Sequence, residues 1–214
     1  MLRIFNVIAV LQLLSLTPVW ACSGQVGSVI FQDDFSDDSG GWDEAPPYAS
    51  VQPPVFVFAL NASYIAFSSH NLSFNAIDGD YCMDFILPPA IAAGNQMYTG
   101  IDFWALDYDN VWNFNTGSDG SLFLQRKSSG KWATLWTVSN SPAFLSAANA
   151  VNSLRLTALN GLITTYLNGT MIKATRAPEP TGSNIMFGMM AAVNTAVDNA
   201  PKVQVKAFSV TVGK

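Results

Sequence analysis

Charge is scarce in this chain. Asp, Glu, Lys and Arg make up 12% of its 214 residues, with 10 basic against 15 acidic, and the net charge is −5. Nucleic-acid affinity comes from neutralising phosphates, so so few cations exclude that partner. Histidine occurs once, at His70, and cysteine twice, at Cys22 and Cys82. That set falls short of the ligands a structural zinc centre takes. It also leaves any Ser-His-Asp arrangement with one possible base, and no G-x-S-x-G turn exists to display the serine. His70 reads as a loop residue rather than a base. Glutamate stands only at Glu44 and Glu179, both in proline-containing loops. Beyond the N-terminus no apolar run reaches the length of a membrane-spanning helix, and no segment carries a long amphipathic helical period.

The N-terminus has its own pattern. Arg3 precedes the largely apolar Ile4 to Leu16, and Val19-Trp20-Ala21 places small residues where a signal peptidase reads them. Residues 1–21 are expected to be a cleaved secretory signal, and residues 22–214 one domain. Cys22 would then follow the cut directly. It suits a disulfide with Cys82 in an oxidising compartment, a lipid anchor, or a free thiol. A membrane partner is expected only if Cys22 is lipidated.

What is abundant is β-forming sequence broken by turns. Asn152 to Thr175 holds Asn160-Gly161 and Asn168-Gly169, each flanked by β-forming residues. Asn-Gly favours type I′ hairpin turns because both central residues need positive φ. Two-residue loops set Leu154 opposite Leu167, Leu156 opposite Thr165 and Ala158 opposite Ile163. The same rule sets Ile163 opposite Ala174 and Thr165 opposite Ile172. One face is then apolar, and the other carries Arg155, Thr157, Thr164, Tyr166, Met171 and Lys173. A slip of one residue would destroy that partition. About twelve strands are expected in all, including a hairpin of Val55–Leu60 with Ser63–Ser68, a weak strand at Leu72–Ile77, and strands at Asp80–Leu87, Met97–Leu106 and Ile185–Val193. Two packed antiparallel sheets are the economical all-β architecture.

Gly100 to Trp132 carries a resemblance. Gly100 to Phe103, then Asp107, Asn110 and Trp112, the turn Gly117 to Gly120 and the hairpin Gly130 to Trp132 resemble secreted concanavalin A-like (laminin G-like) jelly-roll domains. These are related to glycoside hydrolase family 16 and to 3-keto-disaccharide hydrolase-type domains. Asn152, Leu154, Leu156, Tyr166 and both Asn-Gly turns fit the later part of that pattern. Asp33 to Trp42 and Ala207 to Val212 fit its two ends. The resemblance implies a jelly-roll sandwich with neighbouring first and last strands, a ligand-bearing sheet face, and structural calcium as a possibility. Family 16 catalysis needs an E-x-D-x-x-E strand with carboxyl groups about 5–5.5 Å apart. That motif is missing here.

The aromatic content, with 6 Trp, 6 Tyr and 14 Phe, exceeds what the core requires. Sugars stack on such rings and bond to amides and carboxylates at their edges. The expected ligand-binding face combines Asp102, Trp104, Asn113, Asn115, Arg155 and Tyr166, with Trp112 and Phe114 turned to the core. Trp42, Trp132 and Trp136 are expected to pack at sheet ends. The leading expectation is a secreted, periplasmic or cell-surface module that binds a glycan or polysaccharide without turning it over and needs no cofactor. A glycan hydrolase would need Asp84 and Asp102 as a pair on neighbouring strands. A structural or protein-interaction module is the third alternative. Asp107, Asp109 and Asn110 are weak candidates as oxygen ligands for calcium, as are Asp33, Asp34, Asp37 and Asp38; all also suit plain turn chemistry.

Overall fold

A computed structural model describes residues 22, 24–61, 66–71, 77–89, 96–182, 184–195 and 202–213. The expected leader, residues 1–21, and residues 72–76 of the weak strand expected over Leu72–Ile77 lie outside them. The described residues form fourteen strands. The first seven are β1 (Ser28–Asp33), β2 (Ala49–Gln52), β3 (Val55–Phe58), β4 (Ala66–Asn71), β5 (Gly79–Ile86), β6 (Met97–Asp107) and β7 (Asn110–Gly117). The others are β8 (Leu122–Ser128), β9 (Lys131–Val138), β10 (Val151–Leu159), β11 (Leu162–Leu167), β12 (Thr170–Arg176), β13 (Met186–Val193) and β14 (Val203–Val212).

They make two antiparallel sheets. One has eight strands in the order β12-β11-β10-β5-β14-β3-β2, with β1 also paired to β14. The other has six, β4-β13-β6-β7-β8-β9. The first and last strands are neighbours, as the resemblance implies. The expected hairpin of Val55–Leu60 with the next strand does not form. β3 pairs with β2 and β14, whereas β4 crosses to the other sheet and pairs with β13.

The first Asn-Gly turn gives the expected register, with Leu154 opposite Leu167, Leu156 opposite Thr165 and Ala158 opposite Ile163. Asn160 and Gly161 both have positive φ, as a type I′ turn requires. Past the second turn a bulge shifts the pairing, so Thr165 faces Lys173 and Ile163 faces Thr175. The extra residue lets Ile172 and Thr175 turn inward in place of Ile172 and Ala174. Thr175 Oγ1 then accepts the indole N–H of Trp136 at 2.9 Å, tying the two sheets together at that edge.

Period-two alternation fills the core from both sides. Tyr81, Met83 and Phe85 of β5 and Leu154 and Leu156 of β10 face Ile101, Phe103, Phe114 and Phe187 of the other sheet. Phe187 and Phe208 stack across the layers at 5.5 Å. Trp42 closes one end against both rings, and Asp33 Oδ2 accepts its indole N–H at 2.7 Å.

Candidate functional site

The six-stranded sheet turns a single polar row outward. Register places His70, Gly188, Asp102, Asn113, Gln125 and Thr134 side by side on β4, β13, β6, β7, β8 and β9. With Asn115, next along β7, the side chains join in one hydrogen-bond chain. His70 Nε2 meets Asp102 Oδ2 at 3.1 Å, and Asn113 Nδ2 donates to Asp102 Oδ1 at 2.7 Å. Asn115 donates to Asn113 Oδ1 and, at 3.0 Å, to Gln125 Oε1. Gln125 Nε2 donates to Thr134 Oγ1 at 3.0 Å. Burial leaves such a row stable only because nearly every member is satisfied.

Gly188 makes the first link possible. His70 and Asp102 are two strands apart, about 10 Å, and the imidazole must cross β13 to reach the carboxylate. A Cβ at Gly188 would lie 2.5 Å from His70 Cδ2 and 2.5 Å from the Ser69 carbonyl oxygen. Glycine is the residue that leaves this passage open.

Above the row lies an open groove of about 550 Å³. Its polar floor is His70, Asn115 and Gln125, and its apolar floor includes Met190 and Ala192. Tyr98, Tyr108, Phe123 and Trp132 supply aromatic walls. Tyr98 and Phe123 meet edge to face at 5.8 Å. Tyr108 stacks on His70 at 4.6 Å, nearly parallel, and its hydroxyl bonds Asp43. Burial and Asp43 push the Tyr108 phenol well above its ordinary range. Lys127 lies over the Trp132 ring at 6.0 Å, donates to the Tyr108 carbonyl at 2.8 Å and pairs with Asp109 at 3.0 Å. Tyr108 and Trp132 are 51% and 49% exposed, although rings of that size are normally buried.

The expected ligand-binding residues separate into three places. Asp102, Asn113 and Asn115 do come together, but Asp102 and Asn113 lie beneath the groove and support its floor. Trp104 is a core residue. Gly188 stands opposite Asp102 and Met186 opposite Ala105, so Phe103 and Trp104 together span Phe187. Trp104 takes a positive φ of 50° in this bulge, is 1% exposed, and donates its indole N–H to the Ile77 carbonyl at 2.6 Å. Arg155 and Tyr166 lie on the outer face of the other sheet. There Arg155 grips Asp80 through Nε and Nη2 at 2.8 and 2.7 Å, and its guanidinium sits 4.8 Å over Tyr166.

Asp84 and Asp102 are not a pair. β5 and β6 belong to different sheets, and the two carboxylates point outward on opposite sides of the sandwich. Asp84 instead accepts from Ser153 Oγ beside Cys22 and Cys82. Those cysteines form a disulfide with a Cα–Cα distance of 5.9 Å, which occupies the sulfur a lipid thioether would need. The turn after β6 directs its oxygens to its own donors. Asp107 accepts from Asn110 Nδ2 at 2.9 Å and from the Asp109 amide at 2.7 Å, and these bonds hold its carboxyl below the usual range. Asp33, Asp34 and Asp37 cap amides two residues on in the same way.

Sequence reasoning missed His70, Gln125, Tyr98, Tyr108 and the exposure of Trp132. His70 is a buried strand residue, not part of a loop. Its signal was indirect: a glycine interrupting the otherwise apolar β13, which only the β4–β13 register turns into a passage.

No family model and no curated protein matches the chain. Among solved structures, it superposes on a Bacillus licheniformis β-glucanase with a TM-score of 0.62 at 10% identity, covering 87% of this chain and 99% of that one. The laminarinase catalytic domain from Thermotoga maritima gives 0.62 at 8% identity, covering 87% and 98%. The carbohydrate-binding module CBM66 from Bacillus subtilis gives 0.53 at 14%, covering 75% and 96%. The chain therefore has the concanavalin A-like jelly-roll fold. At these identities the likeness is one of fold.

Proposed function

We propose that this protein is a non-catalytic module that binds a neutral glycan in the groove of its six-stranded sheet. The observation that carries the reading is the continuous polar row beneath an aromatic-walled groove of about 550 Å³. Rings suit the C–H faces of pyranoses, and amides suit their hydroxyls. Charge favours a neutral chain. Lys127 is the one cationic Lys or Arg among the described lining residues, and Asp109 already neutralises it. The neighbouring structures include one named as a β-glucanase, one as a laminarinase catalytic domain and one as a carbohydrate-binding module, which supports a glycan as the partner.

Strand β6 supports binding without turnover. Its bulge turns Gly100, Asp102 and Ala105 to the outer face, the spacing of E-x-D-x-x-E with both glutamates replaced. A side chain at Gly100 would lie 2.4 Å from the Phe114 carbonyl oxygen and 2.5 Å from Asn115 Cβ, so a carboxylate has no room there. Asp102 is held by His70 and Asn113 with no second acid on its row. A secreted, periplasmic or cell-surface location suits the disulfide.

The test is a titration of residues 22–214, followed by tryptophan fluorescence, with a soluble β-1,3-glucan, a mixed β-1,3/1,4-glucan and an anionic polysaccharide. Each is run with and without calcium, and released reducing ends are assayed in parallel. Saturable binding of a neutral glucan without release is expected. Release would overturn the non-catalytic reading, and preference for the polyanion would overturn the neutral one. Binding that vanished with chelator would assign calcium a part.

A further inference from the structure

His70 offers one atom that the fold leaves unused. We propose that His70 Nδ1 is a hydrogen-bond acceptor reserved for a hydroxyl of the glycan, so that ligand binds the neutral imidazole. This rests on the glycan reading of the groove.

The tautomer follows from the partner. Asp102 already takes a donor from Asn113 on Oδ1, and its Oδ2 faces His70 Nε2 at 3.1 Å. A carboxylate accepts, so Nε2 carries the proton and Nδ1 of the neutral ring keeps its lone pair. Nδ1 is buried and has no hydrogen-bond partner, a condition it shares only with Glu44 Oε1 among the described residues. An unpaired buried acceptor is destabilising, and a ligand hydroxyl would relieve it.

Its direction follows from Gly188. The Cδ2 edge of the ring rests over that glycine, against the sheet. In a five-membered ring the opposite edge carries Nδ1 and Cε1, so Nδ1 is directed away from the sheet, toward the groove that His70 lines. Tyr108 covers one ring face from a turn rather than a strand, and is the neighbour able to yield. The charged or titratable groups around the ring are Asp102 on β6, Tyr108 with Asp43 behind it, and the Lys127–Asp109 pair on β8 and the turn. From β13 the ring meets Gly188, which carries no charge.

The sign of the linkage decides the matter. A ligand that binds the neutral ring must lower the apparent pKa of the imidazole when it saturates the site. One that binds the cation must raise it. His70 is the one histidine of the chain, so its ring resonances report the titration directly. The experiment follows those resonances against pH, with and without saturating soluble β-1,3-glucan, and adds His70→Gln. Glutamine keeps an amide donor for Asp102 but has nothing at the Nδ1 position.

The expected results are a lower imidazole pKa in the complex, a non-protonated Nδ1 whose nitrogen shift moves on binding, and about tenfold weaker affinity for H70Q with its melting temperature retained. An unchanged or raised pKa, or full affinity in H70Q, overturns the proposal while leaving glycan binding in place. Should H70Q unfold, the pKa comparison on the unmodified protein still decides. No binding by the unmodified protein to any glucan overturns the glycan reading itself.

Discussion

On the six-stranded sheet, outward polar side chains run in a row and stop beneath an open groove. On the eight-stranded sheet they close on one another. Arg155 and Asp80 form a two-point ion pair, Tyr166 roofs the guanidinium, and Gln25 reaches Asp80 and Ser209 of neighbouring strands. The Cys22–Cys82 disulfide then fastens the N-terminal segment over the same face. Asp, Arg, Asn and Tyr in a β-strand therefore do not by themselves mark a ligand face. What separates the two faces is whether each polar group finds its partner within the fold or leaves an atom or a ring unmatched. Substitutions on the closed face should cost stability, and those on the groove face should cost binding.

The largest effect is expected from the disulfide. It closes a loop with a sequence separation of 60, for which chain entropy gives on the order of 4 kcal/mol. Cys22→Ser with Cys82→Ser should lower the unfolding free energy measured by urea denaturation by that amount. Glucan affinity should stay unchanged where the protein remains folded. A loss of binding at full stability would mean that the two faces communicate. Arg155→Ala comes next. It leaves Asp80, 6% exposed, without its cation, and removing one partner of a buried pair costs about 3 kcal/mol. Thermal denaturation should show the loss, and binding should again be untouched.

The two faces also differ in how far they could be read from the sequence. The meander was legible because Asn160-Gly161 and Asn168-Gly169 act within a few residues. The inward set Leu154, Leu156, Ala158 and Ile163 followed from them. Tyr166 and Arg155 were placed on the correct strands and turned outward. No local rule says which outer face carries the groove, because that depends on how the two sheets divide the strands. Trp104 failed for a different reason. Strict alternation puts it beside Asp102, and the bulge that turns it inward leaves no mark in the sequence. The row itself was half visible. Asp102, Asn113 and Asn115 lie on adjacent strands joined by a short turn, whereas His70 and Gln125 enter through pairings that only the folded sheet supplies.

A smaller and mixed effect is expected at Gly188. Alanine there would press on both the His70 ring and the Ser69 carbonyl, and the latter is backbone that cannot swing aside. Gly188→Ala should destabilise by about 1–3 kcal/mol through this overpacking and should displace the imidazole from Asp102. Glucan affinity should fall together with stability, the one case where the contrast between the faces breaks down. A well-folded G188A protein with full affinity would show that the His70–Asp102 link does not organise the groove.

The smallest effect on stability, and the sharpest comparison, comes from two aromatic residues. Trp132 stands in the groove and Tyr166 under the Arg155 guanidinium. Trp132 is 49% exposed on β9, an edge strand, and truncating so exposed a ring should change folding stability by no more than about 0.5 kcal/mol. If Trp132 is a wall against which a pyranose stacks, Trp132→Ala should weaken glucan binding by about tenfold, or about 1.4 kcal/mol. Tyr166→Ala should do the reverse, costing about 0.5–1 kcal/mol of stability through the lost cation–π contact and nothing in binding. Calorimetric titration and thermal melts on both variants would place each on the two axes. Equal loss of binding in the two would mean that the ligand reaches the closed face, and the division of labour between the sheets would have to be abandoned.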